Sequence, residues 1–203
     1  MTRKDGQQRV RMDPTERRDR ILAAAVNAFA AAPYEQVSMA AIAEQVGASE
    51  ALVYRYFPGK AELYAEVVQV ALDDLGAKIR AAQAELPPGV SARDRMRATT
   101  IVYLDHIAHH PDAWAAPLAL TNTEPRIAAS LREAARREYV ERLRRLLVPG
   151  DSVRSEYALW GFFGFLDAAC LRWVQRRCPE DDRWSLIDAV LGALEGALGD
   201  WGR

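Results

Sequence analysis

The chain has 203 residues, half of them hydrophobic and about a quarter charged, with 27 Lys+Arg against 28 Asp+Glu. That length builds one large domain or two small ones, and the composition is too apolar and too nearly neutral for a disordered chain. Two cysteines, Cys170 and Cys178, exclude a disulfide framework and suit a reducing cytoplasm. The first twenty residues lack the apolar run of a secretory signal. The longest apolar stretch, 157–174, is interrupted by Asp167 and Arg172 and reads as a buried helix, with no membrane as a partner.

Ala, Leu, Arg and Glu dominate and strand-like alternation is absent, so the expected fold is all-α. Residues 1–12 (MTRKDGQQRVRM) read as a flexible basic arm. A first helix starts at Asp13, with Pro14 at a position that accepts proline and Glu16 completing a capping-box pattern. Ile21, Leu22, Ala25, Val26 and Phe29 form its inner face, and Pro33 ends it. Ser38 caps a short helix carrying Met39, Ile42, Ala43 and Val46, closed by Gly47 in a left-handed conformation. Ser49 caps a second short helix, 50–57, which Pro58-Gly59 stops. Lys60 opens a long helix with Leu63, Val67, Val70, Leu75 and Ile79 on its inner side, and Pro87-Pro88-Gly89 stops that one. Four longer helices follow near 92–110, 124–147, 153–177 and 182–199, with a short segment at 112–120. Glu133–Arg137, Glu138–Arg142 and Glu141–Arg145 stand at i,i+4 spacing and mark a solvated face.

The segment SMAAIAEQVGASEALVYRYFPGK, 38–60, is a two-turn helix, a glycine turn and a second short helix. This is the pattern of a helix-turn-helix, whose second helix enters the major groove of DNA. Ser38 and Ser49 mark helix N-termini whose N–H groups suit phosphate oxygens. Tyr54 and Tyr56 offer hydroxyls and Lys60 a point charge to the backbone, with Arg17, Arg18 and Arg20 as further phosphate candidates. Arg55 alone in this helix can make a bidentate bond to guanine, while Glu50 can accept from cytosine or simply favour its helix terminus. Ala51 stands beside them, and Val53 and Phe57 anchor the helix to the core. The same segment also reads as an αα-hairpin in an ordinary helical bundle.

With Ser38, Ile42-Ala43, Gly47, Ser49, Tyr54, Phe57, Lys60 and Leu63 in register, residues 17–68 resemble the DNA-binding domain of the tetracycline-repressor (TetR/AcrR) family of bacterial transcriptional regulators. The pattern departs from the family at Ala48, Ala51, Leu52 and Tyr56. The resemblance implies a three-helix DNA-binding domain over 13–60, a connecting helix over 61–86, and a larger helical ligand-binding and dimerisation domain over 87–203. Residues 153–199 resemble the family's dimerisation part. From the residues themselves, 157–174 is apolar nearly all round, and Trp184, Ile187, Leu191, Leu194 and Leu198 form a helix-packing seam. With Trp173 they are the candidate dimer interface, and Gly161, Gly164, Gly192 and Gly196 permit close approach.

The family's C-terminal domain holds a small-molecule inducer between its central helices. Candidate contacts here are Tyr103, His106, Trp114, Leu118, Trp160, Phe163 and Asp167, whose aromatic walls suit a small hydrophobic or amphipathic effector. Asp167, in an apolar helix, needs a partner. Of His106, His109 and His110 only the first and last share a helix face and no third ligand is evident, so no metal is expected. No phosphate loop, nucleophile elbow or zinc-hydrolase motif occurs, so no catalytic residue and no cofactor is expected. The expectation is a cytoplasmic homodimeric regulator, a repressor of double-stranded operator DNA, palindromic or pseudo-palindromic, released by an organic ligand. The alternative is a helical small-molecule-binding protein or enzyme that kept a helix-turn-helix-like core without operator binding. Charge is only weakly divided: nine Lys+Arg minus seven Asp+Glu give +2 over 1–60, and eighteen minus twenty-one give −3 over 61–203. Affinity for DNA therefore has to rest on placed contacts more than on a basic field.

Overall fold

A computed structural model describes residues 13–119, 124–147 and 152–199. The basic arm expected at 1–12 lies outside the described residues, as do 120–123, 148–151 and 200–203. The described residues form α-helices α1 (Pro14–Ala31), α2 (Met39–Gln45), α3 (Glu50–Tyr56), α4 (Lys60–Ala84), α5 (Ala92–His109), α6 (Pro111–Ala119), α7 (Arg126–Leu147), α8 (Val153–Gln175) and α9 (Arg183–Leu198), with 3-10 turns at Tyr34–Gln36 and Glu180–Asp182. No strand occurs among them, and none of these helices is long and apolar enough to cross a membrane.

Local chemistry sets most helix starts. The Asp13 carboxylate accepts from the backbone N–H groups of Thr15 and Glu16, and Ser38, Ser49, Ser91 and Ser152 each accept from the N–H three residues on. Each such bond satisfies a donor that the first helical turn leaves without an intrahelical acceptor, worth about 1 kcal/mol. Gly47 has φ +65°, and the adjoining Ala48 N–H returns to Ala43 O at 2.9 Å, which ends α2 in the left-handed turn expected for it.

Two apolar cores result. The first gathers Ile21, Ala25 and Phe29 from α1, Ile42 and Ala43 from α2, Val53 and Phe57 at α3, and Leu63, Tyr64 and Val68 from α4. It also takes Ala128, fully buried, and Leu131 from α7, which lies after the boundary expected at residue 87 and packs along α4. Arg18 and Glu66 pair between α1 and α4, with the Arg18 guanidinium 4.9 Å over the Phe57 ring. The second core is built on α5, α7, α8 and α9, where Leu104, Ile107, Val140, Leu159, Phe162, Ile187, Leu191 and Leu194 meet. Helices α8 and α9 pack along each other, and Arg154 near the start of α8 donates to Ala197 O and Gly196 O near the end of α9. Arg183 pairs with Asp105 and donates to Ile101 O, tying α9 to α5.

Two details depart from expectation. Val70 is 42% exposed; the inward face of α4 runs instead through Leu63, Tyr64, Ala65, Val68 and Ile79. Over 25 residues the 3.6-residue period drifts away from an i,i+3/i+4 stripe drawn from only a few apolar positions. On α7, Glu133–Arg137 and Glu138–Arg142 form as spaced, but Glu141 pairs with Arg144 at i+3, not with Arg145.

Candidate functional site

The turn at Gly47 sets α2 and α3 as two short helices held by one core. Val53 and Phe57, both fully buried, fix one side of α3. Its other side carries Glu50, Ala51, Tyr54 and Arg55 in solvent, with Tyr54 44% exposed. The amphipathic period of a seven-residue helix thus leaves one open face, with a carboxylate at its N-terminal end and a guanidinium in its last turn. Tyr56 is half-buried against the first core and has the Arg55 guanidinium 5.8 Å from its ring centroid. Ser38 and Ser49 are exposed; their Oγ atoms accept from Ala41 N and Leu52 N, leaving each hydroxyl proton to donate outward.

The cations differ in their freedom. Lys60 Nζ donates to Glu35 O at 3.3 Å and lies 4.3 Å over the Tyr34 ring, so it is held against the 3-10 turn with two of its three protons still available. Arg17 is half-buried on α1. Arg18, a sequence candidate for phosphate, is instead bound to Glu66 and stacked on Phe57.

A second site lies in the other half. A cavity of about 540 Å³ opens between α4, α5, α6, α7 and α8. Its apolar walls include Leu75 and Ile79 from α4, Met96 from α5, Trp114 and Leu118 from α6, and Phe162, Phe163 and Leu166 from α8. Six of the seven candidate ligand contacts line it: Tyr103, His106, Trp114, Leu118, Phe163 and Asp167. Trp160 does not; it stands 38% exposed on the outer side of α8. An apolar run that continues round a helix hides which side faces inward, and Trp160 lies about 60° round the axis from Phe163, since three residues turn about 300°.

Several polar groups of the cavity are paired. Asp167 finds its partner in Arg136, at 2.5 Å, and the Arg136 guanidinium lies 5.5 Å from the Phe163 ring centroid. Burial raises the Asp167 carboxyl above its ordinary value, and the guanidinium opposes this. Trp114 Nε1 donates to Tyr103 Oη at 3.0 Å, and burial first, then the Asp167 charge, pushes the Tyr103 hydroxyl far up. Tyr139, beside Thr99, is pushed up to about 12 by burial. Burial lowers His106, with Lys78 acting in the same direction. Arg132 binds Glu124 at 3.1 Å, and the Tyr64 hydroxyl bonds to both while its ring lies 4.9 Å from Phe29 and 5.0 Å from Tyr34. A cavity-wall residue on α7 thereby touches the aromatic cluster of the first core.

Arg136, Arg132, Tyr139 and Thr99 were not singled out in the sequence. The signal for Arg136 was indirect: a charge at Asp167 in an apolar helix demands a partner, but the partner stands 31 residues earlier on another helix. The residues proposed for an interface also divide. Trp173, Ile187, Leu191 and Leu194 are buried in the chain's own core, and Trp173 Nε1 donates to Pro179 O at 3.0 Å. Leu198 is half-buried and Trp184 is 62% exposed. Ile187, Leu191 and Leu194 of the α9 seam are covered by helices of the same chain, among them α8 and α5, and only its ends at Trp184 and Leu198 reach the surface. The open side of the pair carries Tyr157, Trp160, Gly161, Gly164, Phe165 and Ala168 on α8, with Ala189, Gly192 and Gly196 on α9. A Cβ placed on any of these four glycines would meet nothing within 4 Å.

Comparison with known proteins bears on the first site. Residues 21–67 match the family model of bacterial regulatory proteins of the tetR family. The chain is 34% identical over 127 residues to the HTH-type transcriptional activator FasR of Mycolicibacterium smegmatis, covering 61% of this chain and 56% of FasR. It spans about half the length of the relatives it matches by sequence. A tetR-family transcriptional regulator from Streptomyces coelicolor superposes with a TM-score of 0.78 at 25% identity, over 93% of this chain and 82% of that one. The regulator FadR of Bacillus subtilis, solved in complex with stearoyl-CoA, shares the fold with a TM-score of 0.67 at 20% identity, over 87% of this chain and 96% of that one.

Proposed function

By its N-terminal domain the chain belongs to the tetR family of bacterial regulatory proteins, and on that premise we propose a homodimeric repressor that leaves a palindromic operator when a small amphipathic molecule fills its cavity. One observation carries this reading: the helix that follows the helix-turn-helix, α4, also lines the cavity. In this reading residues 13–60 bind DNA, 61–86 connect, and 87–203 take up ligand and pair, in the cytoplasm and without catalysis.

On DNA, α3 lies in the major groove. Arg55 and Glu50 face base edges beside Ala51, while Tyr54, Tyr56, Lys60, Arg17 and the two serine hydroxyls hold phosphates. Two copies of α3 reach one DNA face only when their separation matches about one helical turn, 34–36 Å, or a multiple of it. A ligand that binds the splayed dimer better than the DNA-competent one shifts the population toward release. The open glycine and aromatic side of α8 and α9 is the proposed dimer face, because exposed large apolar groups beside open glycines suit close helix packing across a two-fold axis.

A gel shift on DNA flanking the chain's own gene tests the reading. Sequence-preferring binding should persist at about 100–200 mM salt, where non-specific binding collapses; its absence there would favour a ligand-binding protein or enzyme with a silent helix-turn-helix. Gly164→Arg should convert the dimer to a folded monomer in light scattering and remove tight operator binding. A variant that stays dimeric would place the interface elsewhere. The match to FasR, named an activator, favours a second reading in which the bound protein recruits transcription. A reporter driven from the bound site separates the two by the sign of the change on deletion.

A further inference from the structure

The effector's chemical class can be read from the one ion pair in the cavity that joins α7 to α8. This inference rests on the cavity being the effector site. Arg136 and Asp167 are held in a wall otherwise made by Phe163, Tyr103 and Trp114. Their contact is monodentate: Arg136 Nη2 meets Asp167 Oδ2, and no second bond joins the two groups. A guanidinium has five N–H donors in a planar fork, so most of this donor set stays available on the cavity side. Tyr103 adds to it. Its oxygen accepts from Trp114 Nε1, and its own proton is not used in any bond among the described residues. Two donors with spare capacity therefore stand in the cavity wall beside Asp167; of the other carboxylates that line it, Glu138 pairs with Arg142 and Asp73 accepts from Gln69.

An arginine does not lose its charge, whereas a carboxylate can lose its own by taking a proton. We propose that the effector is a carboxylate with an apolar body, which takes Asp167's place on Arg136 and bonds the Tyr103 hydroxyl while Asp167 accepts a proton from solvent. The exchange leaves the charge of the wall balanced: the ligand brings one negative charge and Asp167 gives one up. Each group facing Asp167 is consistent with this. Arg136 from α7 is its cation, Tyr103 from α5 and Cys170 on α8 are neutral, and α6 contributes the uncharged Trp114. Elsewhere the cavity is lined by Asp73 and Arg80 from α4, by Arg132, bound to Glu124, and Glu138, bound to Arg142, from α7, and by His106, which burial holds below its ordinary value. Burial already opposes ionisation of Asp167, and an arriving anion opposes it further. An amine-bearing ligand at this point of the wall would compete with Arg136 for Asp167 and leave the guanidinium without its counter-charge, a costly outcome in a half-buried wall.

The test is calorimetric titration of the full-length protein with three probes of equal chain length: decanoate, decanol and decylamine. Decanoate should bind at least about tenfold more tightly than either of the others, the scale of one charge-assisted contact. Titration in two buffers of different ionisation enthalpy should show net proton uptake, and affinity should fall as pH rises from 6 to 8. Arg136→Met should erase the preference for decanoate and leave decanol binding within about twofold; Arg136→Lys, which keeps a cation, covers the case in which the methionine variant fails to fold. Asp167→Asn should tighten decanoate and abolish the proton uptake. Equal or tighter binding of decanol or decylamine would overturn the carboxylate assignment and leave the cavity reading standing. Binding of decanoate that survives filling of the cavity by Met96→Trp would overturn both.

Discussion

The two halves of the molecule solve different packing problems. Around α1–α3 and the start of α4, every large side chain of the inner face is spent on closure: Ile21, Ile42, Val53, Phe57 and Leu63 are fully buried. Around α5–α8, Tyr103, Phe163 and Asp167 stand around a space of about 540 Å³ that no side chain of the described residues fills. A reading head has to hold α3 in one place, so a dense core is the appropriate solution. On the proposed function, the other half has to change its energy on taking up a molecule, and a preformed cavity suits that. The difference also sets where mutations bite.

The largest effect expected is on the closed side. Phe57→Ala should destabilise the protein by about 3–5 kcal/mol, since it removes a fully buried ring and with it the seat of the Arg18 guanidinium. Phe163→Ala removes the same atoms from a ring that already borders open space, so its cost should be clearly smaller, although contacts to Tyr139 and Arg136 are lost. Urea unfolding of the two variants side by side measures the contrast, and equal losses would show that the cavity wall is packed as tightly as the head.

Arg55→Ala comes next, on function and not on stability. An exposed residue on α3 should leave the unfolding midpoint unchanged, while a bidentate contact to a base carries about 1–3 kcal/mol of discrimination. Binding to a library of operator variants should lose preference at one or two base pairs. A uniform loss across all sequences would move Arg55 to the phosphates, together with Tyr54 and Lys60.

Much of the closed half was legible in the sequence because its signals are local. Asp13, Ser38 and Ser49 announce helix starts through bonds to residues two or three positions away, and Gly47 announces a turn by being able to adopt positive φ. The open half was legible only in outline. Its helices were marked by the same local signals, but the inward side of α8 was not, because Leu159, Trp160, Phe162, Phe163 and Phe165 are apolar in several directions at once. The apolar run therefore points Trp160 at the cavity when it lies outside, and the α9 seam points Ile187, Leu191 and Leu194 at a partner when α8 and α5 already cover them. Long-range pairing was invisible for a related reason. Arg136–Asp167 and Arg132–Glu124–Tyr64 join helices whose relative placement no short spacing encodes.

A smaller effect probes the link inside the head. Arg18 and Glu66 are each more than a third exposed, so solvent screens their pairing, and Glu66→Gln should cost only about 0.2–1 kcal/mol. Its geometric role is larger than its energetic one, because it fixes α1 against α4 beside Phe57. Operator affinity of Glu66→Gln should therefore fall more than its stability does. If the two fall in parallel, the pair contributes to folding and not to the placement of α3.

The smallest effect belongs to the cavity and concerns pH. Burial and the neighbouring Lys78 lower His106, while the unfolded chain restores its ordinary value near 6.5. The unfolded state then binds more protons than the folded one in the interval between the two values. Stability contributed by the neutral ring is present above about pH 6.5 and is lost as pH falls through the folded value. His106→Gln, which keeps a polar group without a titrating one, should flatten the fall in melting temperature between about pH 6.5 and 5 while leaving the value at pH 8 nearly unchanged. The same substitution placed in the head has no such group to remove, because no histidine lies among residues 1–60. An acid-induced loss of stability that is identical in wild type and His106→Gln would locate the sensitivity outside this ring.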